Sequence, residues 1–196
     1  THHGVFDLAY FRAIPNMIVA APMNEIELRN MMYTAQEKPH GPFSIRYPRG
    51  RGVNTDWRKP FESIPIGKGR KLVSGEDIAI VTIGHPGNFA SEAIQKLKDE
   101  GISVSHYDVR FLKPLDEEMM HDVFKNHTKV ITVEDGTILG GLGSAVQEFM
   151  SDNGYTARVI KLGIPDRFIE HGAPEELQAE CGFDAEGIYR TIKDLS

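Results

Sequence analysis

Arg49 is the first residue whose type and position suggest chemistry, because it comes directly after a predicted buried strand over residues 43–47. Ligands of open α/β sheets bind beyond the carboxyl ends of the strands. A guanidinium group presents a rigid fork of donors that suits phosphate or carboxylate. The position therefore predicts an anion-binding residue, and a surface arginine in a turn is the alternative.

Two adjacent histidines, His2 and His3, lie in a predicted loop beside Gly4. An imidazole in such a loop can reach a pocket and exchange protons near neutral pH. The alternative is a solvated or structural pair. No further Cys or His residues stand at metal-ligand spacing, and Cys181 is solitary, so the sequence predicts no metal site.

A third group of polar residues follows a later strand. Glu134 and Asp135 end that strand, and the glycine-rich segment 140–144 opens a helix. Such glycines allow close backbone approach, and helix N-terminal amides can hold an anion. The spacing matches neither a dinucleotide fingerprint nor a P-loop, so we favour tight helix–sheet packing or a subunit contact. His171 lies in a polar loop that faces either a cleft or solvent, and the roles of these three side chains are left open.

The elements that must position these residues alternate between helices and strands. A first part reads as helix, strand, helix and strand, with Asn24 as the N-cap of its second helix and Ile26, Leu28, Met31 and Met32 as that helix's apolar face. A second part begins with the β-branched strand 77–84, whose following helix has Asn88 or Ser91 as its cap. Its further predicted strands are 103–109, 129–133 and 158–162, and its further helices are 116–126, one from about 141, 174–180 and 185–195.

Alternating strands and helices predict an α/β fold with parallel sheets. We divide the chain into residues 1–50, a Gly- and Pro-rich linker over 51–76 and a complete domain over 77–196. Trp57 and Phe61 are expected to pin this linker to a neighbouring domain. Because the first part has few strands and begins without Met, we expect Thr1 to be a break within a longer polypeptide.

The composition excludes several classes of protein. The net charge is −6 with no long basic run, which disfavours a nucleic-acid or anionic-membrane partner. No apolar stretch approaches the roughly 18 residues that a membrane-spanning helix needs. The single cysteine rules out an intramolecular disulfide and fits a reducing, cytoplasmic compartment.

Five segments taken together resemble one enzyme family. They are Thr1–Pro15, Tyr47-Pro-Arg-Gly50, Phe111-Leu-Lys-Pro-Leu-Asp116, Gly140-Gly-Leu-Gly-Ser144 and Gly163-Ile-Pro-Asp-Arg-Phe-Ile-Glu-His-Gly172. In order and spacing they are similar to the 1-deoxy-D-xylulose-5-phosphate synthases, relatives of transketolase. The resemblance implies that 1–50 is the incomplete parallel-sheet tail of the pyrimidine-binding, thiamine-diphosphate-binding domain. It also implies that 77–196 is a complete three-layer α/β transketolase C-terminal domain.

The resemblance further implies a transferase that condenses pyruvate with D-glyceraldehyde 3-phosphate to 1-deoxy-D-xylulose 5-phosphate and CO2. This reaction supplies isoprenoid, thiamine and pyridoxal synthesis. The family enzyme uses thiamine diphosphate and Mg2+ and is a homodimer. The partners implied for this chain are the rest of its own polypeptide, a second copy and the two small substrates.

Two residues carry over from the family. His2 matches the histidine that faces the reactive carbon of the cofactor, and Arg49 matches an arginine that binds the phosphate of glyceraldehyde phosphate. The main cofactor site and its metal ligands lie upstream of this sequence, so the cofactor-binding residues are unknown. We expect the chain alone to be inactive and to bind no cofactor. The alternative is a non-catalytic subunit that pairs with a separate chain, as in 2-oxo-acid dehydrogenases or split transketolases.

Overall fold

A computed structural model describes residues 4–50, 52, 53 and 58–196, which form an α/β fold with two mixed sheets. The larger sheet has five strands in the order β3-β5-β4-β7-β8. β3 runs antiparallel to β5, and the other neighbours are parallel. The five strands are β3 (Arg70–Val73), β4 (Ile78–Ile83), β5 (Val104–Asp108), β7 (Lys129–Thr137) and β8 (Arg158–Ile164).

Helices cover both faces of this sheet and give it three layers. Successive side chains of a strand point to opposite faces, and every residue of β4 is buried. Ile78 and Ile80 pack among the residues of α3 and α7, whereas Ala79, Val81 and Ile83 pack among those of α4 and α5. The helices are α3 (Pro86–Lys98), α4 (Glu117–Asn126), α5 (Leu142–Asp152), α6 (Pro174–Cys181) and α7 (Ala185–Leu195).

The start of α3 differs from the prediction. The helix begins at Pro86, with His85 at the N-cap, so neither Asn88 nor Ser91 caps it. Proline suits the first turn because its missing N–H has no helical partner there. Asn88 instead donates through Nδ2 to the carbonyls of Met23 and His85, at 2.8 and 2.9 Å. The predicted cap residue therefore ties α3 to the first part of the chain.

A smaller sheet contains strands from both parts of the chain, in the order β2-β1-β6. β1 (Ile18–Ala20) pairs parallel with β2 (Phe43–Ile45), as expected. On its other side β1 pairs antiparallel with β6 (Phe111–Lys113), a strand that was not predicted. The sheet of residues 1–50, which was predicted to be parallel, is therefore mixed. Arg110, with a φ of 58°, redirects the chain from β5 into the added strand β6.

α2 (Glu25–Glu37) begins at the predicted cap, where Asn24 Oδ1 accepts from the Glu27 amide at 3.0 Å. Of its predicted apolar face, Met31 is buried, Ile26 and Leu28 are half-buried, and Met32 is exposed. The other buried positions of the helix are polar: Glu27, Asn30 and Thr34. These polar side chains are buried because each has a partner. The side chains of Asn30 and Thr34 accept hydrogen bonds from the amides of Glu62 and Ile64.

Those two bonds fix part of the predicted linker against α2. Ile64 is buried, and Phe61 stacks on Tyr33 with ring centroids 5.3 Å apart. Further along, β3 lies in the same segment and forms an edge of the larger sheet. Trp57, the other predicted anchor, lies outside the described residues. Part of this segment therefore belongs to the packed structure.

The two sheets also share a core. Leu8 of α1 (Asp7–Arg12) and Val19 of β1 lie in one apolar cluster with Val81 and Ile83 of β4. No helix among the described residues has the length and apolar character needed to cross a membrane.

Candidate functional site

A cleft of about 510 Å³ opens where three strands of the two sheets end. The segments that follow β2 and β8 line it, together with the end of β7 and the start of α6. This is the edge at which open α/β sheets bind ligands. Its polar and charged lining residues are Arg46, Tyr47, Arg49, Asp135, Arg167, Glu170, His171 and Gln178.

Arg49 lies at this cleft, as its position after a strand suggested. Its side chain is exposed and has no hydrogen-bond or ion-pair partner among the residues that the structure describes. An arginine in that state can give its whole donor fork to a ligand anion. The structure therefore allows the predicted anion-binding role.

Arg46, three residues earlier, has the opposite surroundings. Its Nη1 lies 3.1 Å from Asp135 Oδ2 and its Nε lies 3.7 Å from Asp7 Oδ2. Its Nη2 also donates to the carbonyl of Gly4 at 3.3 Å. Two carboxylates and one carbonyl thus occupy this guanidinium, which the sequence analysis did not single out.

His85 lies on the other side of Asp135, with its Nε2 3.6 Å from the same Oδ2 atom that contacts Arg46. Burial lowers the pKa of His85, and the nearby Arg46 adds to this, whereas Asp135 opposes it. The lowered pKa therefore favours the neutral form of the ring. Its Nδ1 is buried and has no hydrogen-bond partner among the described residues.

The loop after β8 forms the opposite wall of the cleft. Arg167 Nη2 is 2.6 Å from Glu180 Oε1 of α6, so this arginine is already paired. His171 and Glu170 are exposed and line the cleft, and Phe168 projects at its rim with 78% of its surface exposed. His171 lines the cleft and is exposed to solvent at the same time, so the structure does not choose between its two alternatives.

Glu134 does not reach the cleft, because the N-terminus of α5 holds it. Its Oε2 accepts from the Leu142 amide at 2.8 Å and its Oε1 from the Gly143 amide at 2.9 Å. Burial raises the pKa of Glu134 to about 7, although the two amide bonds act against that rise. The predicted anion site of the helix thus contains a carboxylate of the chain itself.

The glycines of this segment pack tightly around that carboxylate. A Cβ on Gly141 would collide with Glu134 Oε2, and one on Gly143 would overlap the side chain of Lys161. The structure thus supports tight helix–sheet packing as the reason for the glycines. A subunit contact is not needed to explain them.

Two other predictions concern His2 and the absence of a metal site. His2 lies outside the described residues, so the structure does not place it. Within residues 4–50, 52, 53 and 58–196, no group of three or more His, Cys, Asp or Glu side chains could hold a metal ion.

Sequence reasoning missed Asp7, Arg46 and His85. Arg46 follows the same strand as Arg49 and satisfies the same positional argument. Asp7 and His85 gave no signal, because their importance depends on a meeting of segments that are far apart in the sequence.

Two family descriptions match the chain. "Transketolase, C-terminal domain" matches residues 67–188, and "Transketolase, pyrimidine binding domain" matches residues 1–53.

Curated relatives extend this similarity. The chain is 62% identical over 197 residues to the 1-deoxy-D-xylulose-5-phosphate synthase of Cytophaga hutchinsonii, with 100% of this chain and 31% of the relative covered. The synthase of Bacteroides fragilis is 57% identical over 193 residues, covering 98% of this chain and 30% of the relative. That of Aquifex aeolicus is 48% identical over 196 residues, covering 99% and 31%. The chain thus spans about a third of the length of these relatives.

A solved structure described as "Split gene transketolase, inactive beta4 tetramer" has a similar fold. It matches with a TM-score of 0.82 at 30% sequence identity, over 99% of this chain and 62% of that one.

Proposed function

Because the chain belongs to the transketolase family, we propose that it is part of a 1-deoxy-D-xylulose-5-phosphate synthase. In this proposal the complete enzyme joins pyruvate to D-glyceraldehyde 3-phosphate with loss of CO2. The observation that carries the proposal is the 62% identity to one such synthase over the whole chain. The cleft at the strand ends supports it, since that edge suits a small anionic ligand.

The domain arrangement is part of the same proposal. Residues 1–50 form the tail of the pyrimidine-binding domain, 51–76 connect it and add β3 to the larger sheet, and 77–196 form the transketolase C-terminal domain. The matches to residues 1–53 and 67–188 support this division in outline. The complete enzyme is a homodimer in this proposal.

Arg49 binds the phosphate of glyceraldehyde 3-phosphate. It is the arginine of the cleft that has no partner among the described residues, whereas Arg46 and Arg167 are held by carboxylates. A phosphate dianion needs charge-assisted donors, and a free guanidinium supplies two in one plane. His2 takes the proton-positioning role that the family resemblance implies for it.

The complete enzyme uses thiamine diphosphate with Mg2+ in this proposal. The described residues lack a carboxylate, histidine or cysteine cluster that could hold the metal ion, so they do not fit that part of the site. We therefore assign the metal and the diphosphate to the rest of the polypeptide and derive no step through them. What this chain contributes is the acceptor phosphate site.

A hybrid enzyme tests the proposal. The matching third of the Cytophaga hutchinsonii synthase is replaced by this chain, and formation of 1-deoxy-D-xylulose 5-phosphate is measured. We expect turnover within about tenfold of the parent enzyme, since a tenfold loss corresponds to about 1.4 kcal/mol at the barrier. A folded hybrid that makes no product would overturn the proposal.

The isolated chain is the second test. It should form no product and should not bind thiamine diphosphate, because the described residues offer no metal cluster. Micromolar, magnesium-dependent binding of the cofactor in calorimetry would contradict the assignment of that site to the rest of the polypeptide.

A second candidate is a subunit that pairs with a separate catalytic chain. The similarity to a split-gene transketolase, which covers 99% of this chain, favours it. The encoding gene separates the two candidates. A start codon immediately before the codon of Thr1 supports a separate subunit, and an open reading frame that continues upstream supports one longer polypeptide.

A further inference from the structure

We infer that Asp135 is a positioning residue, which holds Arg46 and thereby fixes the arm 46–49 that presents Arg49 to the cleft. The inference rests on the proposed role of Arg49 in binding the acceptor phosphate. Asp135 itself touches no substrate in this account and acts only through Arg46.

The contact joins the two sheets at the cleft. Asp135 lies near the end of β7 in the larger sheet, and Arg46 directly follows β2 in the smaller one. Their charged atoms are 3.1 Å apart. Close by, the amide of Thr137 donates to the carbonyl of Val5, and the amide of Arg46 donates to that of Ala20, each at 2.8 Å. The backbone therefore fixes both partners on either side of the ion pair.

Limited exposure strengthens this pair. The side chains of Arg46, Asp135 and Asp7 are exposed by only 13%, 17% and 19%. Ion pairs at an exposed surface contribute little, because water and salt screen them, but a shielded pair resists separation. Arg46 is thus held, whereas Arg49 lies three residues further along with no partner among the described residues.

His85 lies beside the same carboxylate. One oxygen, Asp135 Oδ2, lies 3.1 Å from Arg46 Nη1 and 3.6 Å from His85 Nε2. His85 is at the N-cap of α3, and Gln178 of α6 approaches its Nε2 to 3.4 Å. The start of α3 and a residue of α6 therefore lie near the carboxylate, and Arg46 is its charged partner.

The negative charge of Asp135, taken alone, would disfavour phosphate binding, whereas a positioning role would favour it. Asp135 is an anion in the lining of the cleft, so it repels a bound phosphate. If it acted only through its charge, its removal would improve binding of the phosphate substrate. If it positions the arm, its removal weakens that binding. The sign of the effect therefore separates the two roles.

The hybrid enzyme gives the kinetic test, with Asp135→Ala and the isosteric Asp135→Asn. We expect the KM for glyceraldehyde 3-phosphate to rise about tenfold in Asp135→Ala and by less in Asp135→Asn, whose amide oxygen still accepts from Arg46. The KM for pyruvate and the kcat should stay within about twofold. An unchanged or lowered KM for the phosphate substrate would overturn the inference.

Glu170→Gln is the matched control. It removes a negative charge from the same cleft, and no hydrogen bond or ion pair joins Glu170 to Arg46 among the described residues. The KM for glyceraldehyde 3-phosphate should therefore fall slightly or not change. A rise equal to that of Asp135→Ala would show a general effect of charge loss and contradict a positioning role.

NMR relaxation on the isolated chain tests positioning without catalysis. The backbone order parameters of Tyr47 and Arg49 should fall from about 0.85 to below about 0.6 in Asp135→Ala, while those of β4 stay unchanged. If the arm is equally ordered in both proteins, Asp135 does not position it. This measurement holds even if the hybrid has no synthase activity, so failure of the inference is distinguishable from failure of the proposed function.

Discussion

Arg46 and Arg49 lie on the same extension of β2, yet their surroundings give them different tasks. Two carboxylates hold Arg46, and no described residue pairs with Arg49. From the sequence, the rule that ligands bind after a strand selects both residues equally. What separates them is the position of Asp7 and Asp135, which depends on tertiary contacts.

The replacement Arg49→Ala tests the role of this arginine in the hybrid enzyme. It should raise the KM for glyceraldehyde 3-phosphate about ten- to a hundredfold, because loss of a charged hydrogen-bond pair costs about 1.5–3 kcal/mol. Pyruvate carries no phosphate, so its KM should change little. Steady-state kinetics with each substrate varied in turn provide the measurement.

Two further variants support that test. Arg49→Lys keeps the charge but loses the planar fork, so its KM should lie between the values of the wild type and the alanine variant. Arg190→Ala removes an exposed arginine of α7 and should have no effect. Equal weakening of pyruvate and glyceraldehyde phosphate by Arg49→Ala would mean that Arg49 is structural.

A second residue-scale prediction concerns the pH dependence of stability. His106 is fully buried in β5, with Nε2 3.0 Å from Thr82 Oγ1, and Nδ1 faces Ser91 Oγ at 3.5 Å. Burial, with a smaller contribution from Arg70, lowers its pKa from 6.5 to about 4. Between these values the unfolded chain binds a proton that the folded chain does not, so stability falls as the pH drops. The loss reaches about 3 kcal/mol near pH 4, at 1.36 kcal/mol for each pKa unit.

The variant His106→Gln should flatten this part of the pH profile. Its stability relative to the wild type should improve steadily from pH 6.5 to pH 4 in urea unfolding, whatever its value at pH 7. Glu134 and Asp108 have pKa values raised to about 7 and about 6 by burial, and they act in the opposite direction in both proteins. A pH-independent difference between the two proteins would show that His106 does not titrate as described.

At the scale of the elements, the N-terminus of α5 is capped by a side chain from a neighbouring strand. Its N-cap residue, Gly141, makes no side-chain cap, and the carboxylate of Glu134 on β7 accepts from the first helical amides instead. A negative charge at a helix N-terminus is favourable. The helix and the strand are therefore joined by two hydrogen bonds that sequence spacing does not show.

Removal of the Glu134 carboxylate should lower the free energy of unfolding more than an ordinary surface substitution does. Glu134→Ala leaves two buried amides without their acceptor, and an unsatisfied buried group costs about 1–3 kcal/mol. We expect a loss of roughly 3 kcal/mol in urea unfolding at pH 7. The control Glu186→Ala breaks only an exposed pair with Arg190 on α7 and should change stability by less than about 0.5 kcal/mol. A loss for Glu134→Ala as small as the control would mean that water replaces the carboxylate.

The elements were predicted best where the pattern is local. The alternation of strands and helices from 77 onward, and the cap at Asn24, follow from short-range rules and agree with the structure. β6 was missed because its three residues pair with a strand more than 90 positions earlier. The buried face of α2 was missed because Glu27, Asn30 and Thr34 are buried only by virtue of distant polar partners.

Over the whole molecule, one cluster of charges, with buried carboxylates and partly buried arginines, joins the two parts of the chain. Glu27 of α2 accepts from Arg110 through Nε at 2.7 Å and Nη2 at 2.9 Å, and from Arg70 at 3.1 Å. Arg70 also contacts Asp108 at 3.0 Å. Two arginines and two carboxylates thus compensate one another at the junction of the two sheets.

Neutralising Glu27 should loosen that junction selectively. Removal of one partner from a buried charge cluster costs about 3–5 kcal/mol, because the remaining charges stay buried. In Glu27→Gln, hydrogen exchange of the β1 amides should therefore accelerate more than that of the β4 amides. Glu92→Gln, which loses only an exposed pair with Lys96, is the control and should leave both unchanged. Equal acceleration in β1 and β4 would contradict a local role.

The candidate site could be predicted only in part, because some of its contacts join segments that are far apart in the sequence. Arg49 was predicted from its place after a strand, and a cleft was one of two alternatives for His171. The contact between Asp135 and Arg46 could not be predicted, because it requires the register of both sheets to be known. A charge pair that forms across two sheets leaves no periodic signal in the sequence.

The pairing of β1 with β6 has a consequence for covalent continuity. A chain cleaved between β2 and Glu62 would keep every contact of the small sheet, because β1 and β6 lie on different sides of the cut. The nicked protein would elute from a sizing column as one particle and separate into two pieces only in denaturant. The intact peptide bond matters instead for folding, because it keeps the two pieces of the chain at a high effective concentration relative to each other. The uncut chain should therefore refold at a rate independent of dilution, whereas the two pieces should recombine at a rate proportional to their concentration.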